Sequence, residues 1–119
     1  MRDFRKLSVW QKAHRLTLEV YRITGTFPPD ERFGLTAQLR KSSASVPTNL
    51  AEGCGRFGDR EFAHFISIAA GSTSEAEYQL LLARDLGYVP AETHEQLDAA
   101  VNEVKKMLRA LHGRLTANG

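Results

Sequence analysis

Scarcity sets the first limits on this chain. A single cysteine, Cys54, leaves no internal disulfide to staple the fold, which agrees with a reducing compartment and puts the burden of stability on a core. Flanked by Gly53 and Gly55, Cys54 reads as a small filler, because no histidine lies near it in sequence to lower its pKa. No apolar run approaches the roughly 20 residues of a membrane span, and Met1-Arg2-Asp3-Phe4-Arg5-Lys6 has no apolar segment behind it to serve as a signal peptide. A cytoplasmic protein with no membrane partner is therefore expected. Strand-like alternation and low-complexity segments are also lacking, which argues against a β fold and against disorder. Excess charge is small, at +2. It is unevenly spread: eleven Lys and Arg face six Asp and Glu through Arg60, and five face eight from Glu61 onward. A basic half of this size fits a solvated surface before it fits a dedicated polyanion site.

What is present is helical periodicity. The 119 residues fit one domain, 1–119, with a single core. Ser8 followed by Gln11 resembles a capping box, and Val9, Ala13, Leu16, Val20, Ile23 and Phe27 then step by threes and fours along the first helix, with Trp10 at one edge. Gly25 and Phe27-Pro28-Pro29 end it, Gly25 permitting a left-handed cap. A third helix is expected from Asp59 as its cap, with Phe62, Phe65, Ile66, Ala69, Thr73, Ala76 and Leu80 inward and Leu81, Leu82 and Leu86 extending that face. Leu86-Gly87-Tyr88-Val89-Pro90 is a stop. A last helix begins at Ala91 or at a Thr93–Gln96 capping box and carries Leu97, Val101, Val104, Leu108, Leu111 and Leu115. Four helices joined by short links, broken near Gly25–Pro29, Gly53–Asp59 and Gly87–Ala91, predict an all-α fold: an antiparallel up-down four-helix bundle.

The stretch from Leu35 to Arg56 organises the rest. Leu35, Leu39, Ser42, Val46 and Leu50 make an apolar seam, opened by Asp30 or a neighbour and closed at Gly53-Cys54-Gly55. Beside the seam runs a second stripe of Gln38, Ser45, Asn49, Glu52 and Arg56, whose small and amide side chains suit contact with another helix better than solvent does. Pro47 lies mid-helix without the N–H its turn requires, so a bend is expected, with Ser42, Ser43 or a water meeting the freed carbonyls. In the third helix Gly71-Ser72 costs helix propensity, a loss that close approach of the central helix would offset. Small residues and amides of this kind make Gln38, Ser45, Asn49, Glu52, Gly71 and Ser72 the candidate subunit-interface residues.

No constellation supports catalysis. Glu61-x-x-His64 is the sharpest motif, but carboxylate-bridged di-iron bundles need a second such pair, and none occurs. His14, His94 and His112 lie apart with no zinc-ligand spacing. Gly53-x-Gly55-x-x-Gly58 follows a helix and lacks the Lys-Ser/Thr of a phosphate loop. Single carboxylates such as Glu75 and Glu77, and serines without a nearby base, carry no reaction. No cofactor, metal or catalytic residue is expected.

The motifs Phe4-x-x-Leu7-x-Val9-Trp10-Gln11-Lys12-Ala13-His14, Arg40-Lys41-Ser42-Ser43-Ala44-Ser45-Val46-Pro47-Thr48-Asn49-Leu50-Ala51-Glu52-Gly53-x-Gly55-Arg56 and Phe65-Ile66-x-Ile68-Ala69-x-Gly71-Ser72 resemble the proteins encoded in intervening sequences of bacterial 23S rRNA genes. Lys41 stands where that family often has arginine, and Ser42-Ser43 where alanine is common. The resemblance implies a four-helix bundle assembled as a ring-like homopentamer with a poorly defined role, acting as a structural or protein-interaction module. The family is also similar to the accessory variability determinants of diversity-generating retroelements, basic pentameric bundles that bind nucleic acid and a reverse transcriptase. RNA or DNA and a further protein are therefore alternative partners. The nucleic-acid candidates are Arg5, Lys12, Arg15, Arg22, Arg40, Lys41, Arg56 and Arg60.

Overall fold

The apolar seams become four helices, α1 (Ser8–Thr24), α2 (Leu35–Cys54), α3 (Asp59–Asp85) and α4 (Ala91–Thr116), in a computed structural model that describes residues 2–117. Each helix packs on its neighbours in chain order and α4 returns to α1, while the backbones of the diagonal pairs stay apart. With short links this is the antiparallel up-down bundle, 46 × 23 × 20 Å, and no strand occurs among the described residues. The α1–α4 seam is the loosest of the four.

Helix ends depart from the sequence expectations. Ser8 is the first helical residue and caps nothing. The turn before it, Phe4–Lys6, is capped instead by Asp3 accepting from Arg5 N, and Gln11 Nε2 donates back to Arg5 O at 2.8 Å. Asp59 does not cap α3 but pairs with Arg2 at 2.8 Å. Thr93 and Gln96 form no capping box, since α4 starts at Ala91 behind Pro90. Gly25 keeps right-handed geometry, and Thr24 and Thr26 hydroxyls close α1 by donating to Val20 O and Ile23 O. At the start of α2 the expectation holds, with Glu31, the neighbour of Asp30, in the role: one carboxylate oxygen accepts from Leu35 N, and the other accepts from Tyr88 Oη, pinning the α3–α4 link. Gly87 at φ +82° does hold the left-handed stop, with Tyr88 N donating to Ala83 O and Gly87 N to Arg84 O.

The core is two apolar clusters stacked along the axis. One gathers Leu16, Val20, Leu39, Leu80 and Val101, the other Val9, Val46, Leu50, Phe62 and Leu108. Between them lies a buried polar waist of Thr17, Ser42, Ser43 and Thr73, which Gln79 joins by accepting from Ser42 Oγ at 2.6 Å. Six expected inward residues sit further out: Phe65, Leu82, Leu111 and Leu115 are half-buried, and Leu81 and Leu86 are exposed.

Pro47 is buried within α2, which runs unbroken through it. Its missing N–H orphans the carbonyl of Ser43. A donor comes from α1 rather than from Ser42 or Ser43: the Thr17 hydroxyl lies 3.0 Å from Ser43 O and 3.0 Å from Ala13 O. Ala13 O already has its helical partner, so Ser43 O is where that proton is needed.

Close helix approach also falls elsewhere than expected. A Cβ at Gly53 would meet Phe62 Cδ1 at 2.8 Å and Phe65 Cβ at 3.0 Å, whereas one at Gly71 would meet nothing within 4 Å. Gly53 is therefore where α3 presses on α2, and Gly71 faces outward. We predict that Gly53→Ala lowers stability by about 1–3 kcal/mol through overpacking, while Gly71→Ala raises it by about 0.5–1 kcal/mol, both read by urea unfolding. We also predict that Thr17→Val costs about 1–3 kcal/mol by leaving Ser43 O unsatisfied, and much less in the Pro47→Ala background, where the backbone donor returns. Equal costs in both backgrounds would show that the Thr17 hydroxyl does not serve that carbonyl.

Candidate assembly face

The second stripe of α2 lies on the flank that meets α3. Ser45 Oγ and Ser72 Oγ share a hydrogen bond at 2.9 Å, and Asn49 Nδ2 donates to Ser45 O and Oγ at 2.8 and 2.9 Å. All three residues are half-buried, so part of the candidate interface set already joins α2 to α3 within one chain. Gln38, Glu52 and Gly71 remain exposed around this ladder, and Glu52 accepts from Arg56 at 2.7 Å. On α3 the outward stripe of His64, Ile68, Gly71, Glu75 and Tyr78 is exposed throughout. Tyr78 is 60% and Ile68 40% exposed, on either side of the open backbone at Gly71. Neither Tyr78 nor Ile68 was among the interface residues read from sequence. Their spacing of three and seven residues from Gly71 is the signal that marks them, once the inward face of α3 is known.

The eight candidate nucleic-acid residues do not converge. Lys12, Arg15 and Arg22 line a groove of about 440 Å³ between α1 and α4, floored by Leu16, Leu97 and Ala100. Lys12 pairs there with Glu103 at 2.6 Å, and Arg22 forks onto Glu19, which holds that carboxyl below its usual range. Arg40 instead crosses to α1, donating to Thr24 Oγ1 at 2.8 Å and Tyr21 O at 3.3 Å with its guanidinium over the Tyr21 ring. Lys41 is exposed on α2. Arg5, Arg56 and Arg60 sit at the opposite end of the bundle from Arg22, with Arg5 over Phe4 and paired to Asp3, and Arg56 over Phe65. Arg15, Lys41 and Arg60 make no ion pair among the described residues.

The chemistry-bearing side chains are otherwise quiet. Burial pushes the Cys54 thiol up, away from thiolate reactivity. Glu61 and His64 both face solvent, and His64 sets its ring edge against Phe65. No group of three or more His, Cys, Asp or Glu is placed to hold a metal among the described residues, and no described helix is long and apolar enough to cross a membrane. His94 is buried, and its Nε2 has no hydrogen-bond partner.

The family model described as 23S rRNA-intervening sequence protein matches residues 5–110. No curated protein matches the chain. Among solved structures it is similar to a 1.70 Å crystal structure of a protein with unknown function from the S23 ribosomal protein family of Bacteroides thetaiotaomicron VPI-5482. The TM-score is 0.81 at 21% identity, over 87% of this chain and 97% of that one. At that identity the likeness speaks for the fold alone.

Proposed function

We propose, for a chain that belongs to the 23S rRNA-intervening sequence protein family, that it works without catalysis, as a bundle assembling with copies of itself through the α2–α3 face. Five copies is the number its resemblance implies. The observation that carries this reading is the exposure of Tyr78 and Ile68 beside a glycine with no neighbour. An isolated bundle gains nothing by displaying an aromatic and a branched aliphatic along one outward stripe, and loses helix propensity at Gly71. A neighbouring subunit recovers both, because the open glycine admits a close backbone and the two apolar side chains lose water. Gln38 and Glu52, exposed on the adjoining α2 flank, supply hydrogen-bonding groups that fix register. The buried thiol of Cys54 and the solvent-facing Glu61 and His64 support a role without chemistry.

A second reading, contact with RNA or DNA, is favoured by one observation: Lys12, Arg15 and Arg22 share the α1–α4 groove. Glu103 and Glu19 pair with Lys12 and Arg22 there, which leaves Arg15 as the uncancelled cation of each chain, and copies in an assembly would bring these charges to bear together on one polyanion.

Light scattering at micromolar concentration tests the first reading. An oligomer is expected for the parent, and Tyr78→Asp or Gly71→Leu should release monomers that keep their helical circular dichroism. A monomeric parent overturns the assembly face, and a dimer keeps the face while defeating the count of five. For the second reading, Lys12→Glu with Arg15→Glu should weaken oligonucleotide binding and flatten its dependence on salt. A parent that binds no oligonucleotide at low salt removes that reading.

A further inference from the structure

The up-down topology sorts charge along the bundle axis. One end holds the α1–α2 and α3–α4 links, tied together by the Glu31–Tyr88 hydrogen bond and the Phe27–Tyr88 ring contact. The other holds the α2–α3 link and the start of the chain, tied by Arg2 N to Cys54 O and by Arg2 to Asp59. Pairs within the chain cancel part of each set, Arg84 with Asp85 at the first end, Arg5 with Asp3 and Arg56 with Glu52 at the second. At the first end Asp30, Glu31, Glu92 and Glu95 then stand without an ion-pair partner among the described residues, against Arg32 and the Arg40 that reaches the last turn of α1. At the second, Lys6, Arg60, Arg109 and Arg114 stand so against Glu61 alone. Antiparallel helices cancel one another's dipoles, so this polarity belongs to the side chains.

Each end also displays an aromatic that the fold does not use. Phe33, before α2, is 88% exposed, and Phe57, after α2, is 79% exposed. Nothing in the bundle covers either ring apart from the Arg32 guanidinium over Phe33. An acidic end with one uncovered phenyl ring and a basic end with another are complementary surfaces on the same molecule.

We propose that copies of this chain dock end to end, the acidic Phe33 end of one on the basic Phe57 end of the next. The contact is heterologous: each copy offers one surface and receives the other, so it propagates along the axis rather than closing a two-fold dimer. It is small and steered by exposed charge, which makes it weak and salt-sensitive. It does not rest on the α2–α3 face, and Tyr78→Asp, chosen to abolish side-by-side assembly, leaves both ends intact.

Sedimentation velocity with small-angle scattering on the full chain carrying Tyr78→Asp tests it. Particles should lengthen in steps of the bundle's 46 Å, and association should weaken about tenfold between 0.1 and 1 M NaCl, as the screening length falls from about 10 to about 3 Å. Arg60→Glu with Arg109→Glu makes both ends acidic, and Glu92→Lys with Glu95→Lys makes both ends basic. Each variant alone should stay single, and an equal mixture should associate again, a rescue that misfolding of either could not produce. The proposal fails if the parent does not lengthen, if its association ignores salt, or if the mixture stays dissociated. It fails equally if a short single-stranded oligonucleotide occupies the basic end while the chain shows no self-association.

Discussion

The carbonyl of Ser43 is the point on which the bundle's geometry turns. A proline inside a helix normally leaves an acceptor without a donor, and burial makes that omission cost on the order of 1–3 kcal/mol. Here α1 supplies the missing proton through Thr17, at 3.0 Å. That solution works only when α1 sits at one axial height and one rotation relative to α2. An apolar seam of Val, Leu and Ala tolerates sliding by a turn, because one methyl contact resembles the next. A single donor aimed at a single orphaned acceptor does not.

The same logic extends around the polar waist. Gln79 of α3 accepts from Ser42 of α2, and Ser72 meets Ser45 one turn further along. Thr73 satisfies itself on Ala69 O, so it adds a buried hydroxyl without a debt to a neighbour. Thus α1, α2 and α3 are locked to one another by directed bonds between two apolar clusters, whereas α4 passes that level with Val101 and Val104. This difference accounts for the loose α1–α4 seam: nothing polar and buried draws those two helices together, and Lys12 and Glu103 bridge them only at the surface.

Periodicity made the fold legible. Each three-four seam read from Val9, Leu35, Phe62 or Leu97 onward became a helix, because inward spacing depends on local sequence alone. Helix starts were less legible: Ser8, Asp59 and Thr93 carry capping chemistry, but preceding backbone, the Arg2 partner and Pro90 decided where each helix begins. Roles that depend on a neighbouring helix were the least legible. Gly53 looked like a helix end and is a contact with Phe62, while Gly71 looked like a contact and is open. Thr17 gave no sign that it would answer Pro47, thirty positions away in the chain. Ser45, Asn49 and Ser72, grouped by their small and amide side chains as candidates between subunits, join α2 to α3 within one chain instead, and Tyr78 was missed because it sits among the leucines that end α3.

Charge shows how topology converts one kind of pattern into another. Divided by sequence, the chain has a basic first half and an acidic second half. Folding up and down cuts across that division, since each end of the bundle draws residues from both halves: Asp30 joins Glu92 and Glu95, and Arg60 joins Arg109 and Arg114. The resulting polarity runs along the axis rather than across it, and it bears differently on two kinds of assembly. Subunits set side by side with parallel axes bring like ends together, so the apolar stripe of α3 has to outweigh that repulsion. In return every acidic end collects on one rim and every basic end on the other, which strengthens any contact made rim to rim. An antiparallel arrangement of neighbours would relieve the repulsion but would also turn the α2–α3 face of alternate copies end for end. A ring with an odd number of copies cannot alternate in this way. A five-membered ring built through this face is therefore polar by necessity, with its repulsion opposed by Ile68, Tyr78 and the open backbone at Gly71.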